Sequence, residues 1–167
     1  MRIKHSFSVA NPALFKQKLL YWANQYDFCV FLDTNKHQDR FSSVDAMLAV
    51  GAFTALKTDS QKAFDQLDEY QKTTKDWLFG YLTYDLKNDV ENLESKHLDG
   101  IEFPELYFIQ PLKIIQLQKD KANFLYLKMI GEEISSDFKA INNLKIPEEI
   151  SQKSIQLQPR ISRSEYI

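Results

Sequence analysis

The chain has 167 residues, a formal net charge of −2, 44% apolar and 26% charged residues; that length suits one domain burying about 70% of the surface its unfolded form exposes. The balance excludes disorder, collagen-like repeats and coiled coil, and the lack of a long basic run argues against nucleic acid held by counterion release. Aromatic residues make up 13% of the chain while glycine numbers only 4, so aromatic bulk is expected to fill the core.

Ile3 to Val9 alternates apolar and polar residues, the period of a half-buried strand. Asn11-Pro12 opens a helix over 12–24, with Phe15, Leu19, Trp22 and Ala23 on one buried stripe. Phe28 to Leu32 reads as a buried strand, which makes Cys29, the sole cysteine, a core thiol. No disulfide within the chain can form, and a reducing cytoplasm is the expected location. The polar loop from Asp33 to Arg40 precedes a strand over 45–57 that is apolar on both faces in its middle. Asp59-Ser60 is expected to cap a second helix, in which Ala63, Phe64, Leu67 and Tyr70 share a face. Residues 77–84 form the most aromatic strand, and 86–105 a long polar connection with a short helix near Asn88. Leu106 to Gln118 and Asn123 to Ile130 make a hairpin around Lys119-Asp120-Lys121. A short helix over 136–144 follows, and 147–159 is extended and polar. Strands outnumber helices, so the expected fold class is α+β: a mainly antiparallel sheet covered on one side by packed helices.

The chemistry-bearing residues are sparse. Gly51, Gly80, Gly100 and Gly131 lie at least 20 residues apart, which excludes a Walker loop and a GxGxxG turn, both of which bring clustered backbone N–H groups against phosphate. His5, His37 and His97 are far apart and no HExxH or CxxC is present, so no metal is expected in this chain. Glu91, Glu94, Asp99 and Glu102 read as a solvated acidic loop, and Ser42-Ser43 lacks both an elbow glycine and a base. No continuous apolar segment of 18 residues marks a membrane span or a signal peptide, and no membrane partner is expected. One segment can be read as a binding site. Leu32-Asp33-Thr34 at a strand end and Arg40-Phe41-Ser42 at the return set a carboxylate, hydroxyls, a guanidinium and an aromatic around one loop mouth. These groups suit a free amino acid, Asp33 for its ammonium and Arg40 or a hydroxyl for its carboxylate. A solvent-exposed turn explains the same letters.

The chain resembles a known family. Phe79-Gly80-Tyr81-Leu82-Thr83-Tyr84-Asp85-Leu86, then Asn88 to Leu93, Pro104-Glu105-Leu106-Tyr107-Phe108 and the closing Ser162-Arg163-Ser164-Glu165-Tyr166-Ile167 are similar to the N-terminal region of the chorismate-utilising enzymes. Their members include aminodeoxychorismate (para-aminobenzoate) synthase component I and anthranilate synthase component I. The resemblance implies that 1–159 is the N-terminal domain and that 160–167 begins the chorismate-binding domain, with Ser162-x-x-Glu165 as a capping box at its first helix. It also implies a longer protein whose catalytic residues and Mg²⁺ site lie beyond this chain, with a glutamine amidotransferase subunit as partner. Anthranilate synthases carry L-L-E-S where this sequence has Phe31-Leu32-Asp33-Thr34. In them the Glu and Ser line the tryptophan feedback site, so the shorter Asp33 favours aminodeoxychorismate synthase, with a vestigial pocket at Leu32, Asp33, Thr34, Arg40, Phe41 and Ser42. A stand-alone ligand-binding or interaction module is the competing class.

Overall fold

The computed structural model describes residues 1–37, 40, 43–59, 61–91, 93, 100, 102–146 and 158–166. The strands are β1 (Arg2–Ser8), β2 (Cys29–Asp33), β3 (Ala46–Thr58), β4 (Phe79–Leu82), β5 (Leu106–Gln118) and β6 (Lys121–Leu127). The helices are α1 (Pro12–Ala23), α2 (Ala63–Thr74), α3 (Lys87–Glu91), α4 (Ile134–Asn143) and the single turn α5 (Arg163–Tyr166). All six strands join one sheet of order β1-β6-β5-β3-β2, and every pairing is antiparallel. The architecture is therefore α+β with an antiparallel sheet and packed helices, as the alternating apolar pattern requires.

The main core lies between one face of the sheet and helices α1 and α4. Phe15, Leu19, Trp22 and Ala23 of α1 meet Leu48, Val50, Ile115, Leu117, Phe124 and Tyr126 of the strands, and Ile134 and Ile141 of α4 close the layer. Asn11 caps α1 as its sequence predicts, its side-chain oxygen accepting the Leu14 N–H at 3.0 Å. Phe7 stacks on Phe138 at 4.0 Å and meets Phe124 edge-on at 5.4 Å, so the aromatic surplus is spent here, joining β1 to α4.

β5 organises the rest. β3 runs along one edge; the other edge pairs with β4 over Leu106–Ile109 and with β6 over Lys113–Gln118. Neither strand reaches Gln110 to Leu112, and Pro111 has no N–H to give a ladder. Arg2 fills that gap. Its guanidinium donates to the carbonyls of Pro111 at 2.6 Å, Leu112 at 3.3 Å and Leu125 at 3.0 Å, and to the Asp76 carboxylate at 2.8 Å. Opposite, β3 bulges between Ala52 and Thr54 next to Gly51, whose φ of +68° a side chain would strain. Across this kink the inside-outside alternation changes phase. Tyr107 and Ile109 join Ile114 in a second apolar cluster with Ala49 and Phe79, whereas Ile115 and Leu117 face the helices.

Several elements depart from the sequence pattern. β2 is an edge strand, so Cys29 is exposed instead of a core thiol. Only the first half of β3 is buried on both faces; Phe53 beyond it is exposed, and Phe64 of α2 likewise faces solvent. β4 keeps four residues of the expected 77–84, and the chain after Leu127 turns into a 3-10 helix instead of continuing the strand. α2 starts at Ala63, and its cap is remote: the N–H groups of Lys62 and Ala63 both donate to the Asp89 carboxylate of α3 at 2.8 Å. Asp59 gives no side-chain cap, and Ser60 and the extended segment 147–157 lie outside the described residues.

Candidate functional site

β2 ends on Asp33, and strand alternation sends Leu32 and Asp33 to opposite faces of the sheet. Two concavities therefore meet at this strand end. On the helix side a groove of about 710 Å³ runs between the first turns of α1 and the strands, with Leu20, Phe31 and Leu117 in its apolar lining and Lys16, Lys36 and Lys119 among its polar groups. On the other face a hollow of about 180 Å³ is lined by Leu32, Val44 and Met47. Asp33 and Thr34 border both. Leu32 is 54% exposed.

The carboxylates and the Thr34 hydroxyl at this edge are engaged within the chain. The Asp33 carboxylate accepts from Lys16 Nζ at 2.7 Å and from the Asn35 N–H at 2.9 Å. The Lys16 ammonium, more than any other neighbour, holds the Asp33 carboxyl below its usual range. The Thr34 hydroxyl and N–H both donate to the Asp45 carbonyl, at 3.1 and 3.0 Å, and the Asp45 carboxylate accepts the Lys119 N–H at 2.5 Å. The ammonium that Asp33 was expected to take from a ligand is thus supplied by Lys16, whose position on α1 gives no hint of this in the sequence. Arg40 is exposed and borders neither concavity, while Phe41 and Ser42 lie outside the described residues. Of the six residues read as a loop mouth, the structure brings Leu32, Asp33 and Thr34 to one strand end.

A second polar centre was invisible in the sequence. Lys113 sits inside the apolar run of β5, with only 7% of its side chain exposed. Its ammonium lies 2.6 Å from Asp137, 2.7 Å from Glu133 and 3.1 Å from the Tyr26 hydroxyl, among the rings of Trp22, Tyr26 and Tyr126. Tyr126 donates to the same Asp137 carboxylate at 2.8 Å. Burial alone would lower the Lys113 pKa, but hydrogen bonds to Asp137, Glu133 and Tyr26 outweigh it and raise it well above the ordinary lysine value. Burial first, and then the Asp137 charge, push the Tyr126 hydroxyl far up. Lys113 therefore stays protonated and is no nucleophile. The cluster ties α1, β5, β6 and α4 together.

The motif Gly80 to Asp85 has structural reasons for its letters. A Cβ on Gly80 would lie 1.9 Å from the Tyr107 carbonyl, so β4 approaches β5 only through glycine. Tyr81 packs on Tyr107 and Phe103, Thr83 donates its N–H to the Glu105 carbonyl at 2.8 Å, and Asp85 pairs with Lys87 at 2.8 Å. Among the described residues, buried side-chain oxygens of Thr83, Asn88 and Glu105 find no hydrogen-bond partner. His5, His37, Glu91 and Glu102 are exposed; Glu94, His97 and Asp99 lie outside the described residues. Among the described residues no three His, Cys, Asp or Glu side chains gather as a metal site, and no helix is long and apolar enough to cross a membrane. Comparison with known protein families and with curated proteins finds no match.

Proposed function

We propose that this chain is the N-terminal, non-catalytic region of an aminodeoxychorismate synthase component I. In that reading a separate chorismate-binding domain, working with a glutamine amidotransferase subunit and Mg²⁺, replaces a chorismate hydroxyl by ammonia to give 4-amino-4-deoxychorismate for folate synthesis. The observation that carries it is the surface built by the motif residues. Gly80 to Tyr84 form a short strand and turn whose Tyr81, Leu82 and Tyr84 remain exposed beside exposed Phe103. An apolar strip of this kind suits a second domain docking against it. Among the described residues, the buried side-chain oxygens of Thr83, Asn88 and Glu105 also find no hydrogen-bond partner. The strand end at Asp33 supports the aminodeoxychorismate assignment over anthranilate synthase: one carboxylate oxygen already pairs with Lys16, which weakens its pull on a tryptophan ammonium.

The experiment joins this chain to the chorismate-binding domain of an aminodeoxychorismate synthase and adds the amidotransferase subunit, glutamine, Mg²⁺ and chorismate. The chain alone is expected to consume no chorismate, and the fusion to form 4-amino-4-deoxychorismate. Turnover by the chain alone would overturn the non-catalytic reading. Tight tryptophan binding by calorimetry, abolished by Asp33→Ala, would move the assignment to anthranilate synthase. Failure of the fusion to fold as one unit favours a free-standing module.

A further inference from the structure

The groove on the helix side of Asp33 is a second concavity, separated by the sheet edge from the hollow at Leu32, Val44 and Met47. Its volume of about 710 Å³ lies within the range of small-molecule sites, which pair an apolar lining with a few placed polar groups. Phe31, Leu20 and Leu117 supply the lining, two of them held by the sheet and one by α1. These elements belong to the main core layer, so the groove is preformed.

Its charges are unequal in what they have left to give. Asp33 is paired with Lys16 at 2.7 Å, and the Asp45 carboxylate accepts the Lys119 N–H at 2.5 Å while keeping its charge. Among the described residues, the ammonium groups of Lys36 and Lys119 form no ion pair. Both lysines occupy left-handed turn positions, with φ of 65° and 53°, one in the β2–β3 connection and one in the β5–β6 turn. These turns come from different parts of the sequence and set two cations beside one apolar lining.

We infer that this groove binds a small organic acid, an apolar body against Phe31, Leu20 and Leu117 with its carboxylate held by Lys36 and Lys119. The inference stands apart from the docking strip that carries the chorismate reading, because it uses no residue of the β4 motif; Asp33 and Thr34 border the groove without holding the acid.

The test is an amide-resolved NMR titration of the chain with naphthalene-2-carboxylate, with the neutral 2-naphthylmethanol as its isostere. The acid should shift the amides of Ala13, Lys16, Asn35 and Lys119, and the alcohol should bind about tenfold more weakly for want of the charge-assisted contact. Lys36→Asn together with Lys119→Asn removes both charges while keeping a residue that tolerates the left-handed turn. That variant should keep the wild-type spectrum elsewhere and lose the preference for the acid. Equal binding of acid and alcohol, shifts confined to Leu32, Val44 and Met47, or no saturable shift would each overturn the inference. An unaltered preference in the folded double variant would do the same.

Discussion

Lys113–Asp137 and Lys16–Asp33 are the same chemical pair at nearly the same separation, 2.6 and 2.7 Å. Their surroundings differ. The first is 7% and 17% exposed, under α1 and α4; the second is 22% exposed on both sides at a groove edge. Water reaches the second pair and weakens it. In the first, each charge depends on its partner, because desolvation is repaid only while the network is complete. Distance alone therefore says little about what an ion pair contributes; burial decides it.

The largest expected effect tests that contrast at the buried end. Lys113→Ala leaves Asp137 and the Tyr26 hydroxyl without their cation and should cost about 3–5 kcal/mol in urea denaturation. Lys113→Met combined with Asp137→Leu and Tyr126→Phe, which removes both charges and the buried hydroxyl that donates to Asp137, should recover most of the loss, while Glu133, 45% exposed, turns to solvent. A cost under about 1 kcal/mol for the single change would show the cluster to be hydrated and break the comparison.

Arg2 is the intermediate case. Arg2→Met exposes the freed carbonyls of Pro111 and Leu112 and unpairs Asp76, for an expected loss of about 3 kcal/mol by the same measurement. Burial by itself would raise the Asp76 carboxyl, but hydrogen bonds from Arg2 and Gln110 outweigh it and hold it below its usual range. Asp89→Ala removes the remote cap of α2 and should cost about 1 kcal/mol, read as faster amide exchange at Ala63 and Phe64 before any global change.

The smallest effect is at the groove edge. Asp33→Asn should change stability by about 0.5 kcal/mol at neutral pH. Its sign with pH follows from the lowered folded pKa of Asp33: the stabilisation is present above the unfolded carboxyl value and is lost as pH falls through the folded one. The wild-type minus Asn difference should therefore vanish in acid and be constant from pH about 5 upward. A difference that grew on acidification would contradict the assigned Lys16–Asp33 pair.

Local patterns carried much of the fold. The Asn11-Pro12 start, the stripe Phe15, Leu19, Trp22, Ala23 and the hairpin around Lys119-Asp120-Lys121 are short-range signals, and each appears in the structure, with Lys121 already the first residue of β6. Asp33 and Thr34 were legible as polar residues at a strand end. Their partners were not: Lys16 lies 17 positions away and Asp45 is reached only through strand pairing. Cys29 read as buried because apolar neighbours cannot reveal which strand will lie at the sheet edge.

Sequence by itself determined the α+β class, the β5–β6 hairpin and the helix that packs on the sheet, because period and capping act within a few residues. Tertiary structure alone decided where charge would be buried. Lys113 is one polar letter in an apolar run, and it meets Tyr26, Glu133 and Asp137 only when β5 lies beneath α1 and α4. Arg2 finds Pro111 across 109 positions of sequence because β1 pairs with β6 and β6 with β5. Such contacts depend on strand order, which no local propensity encodes, and the same order places Lys36 and Lys119 beside one apolar groove.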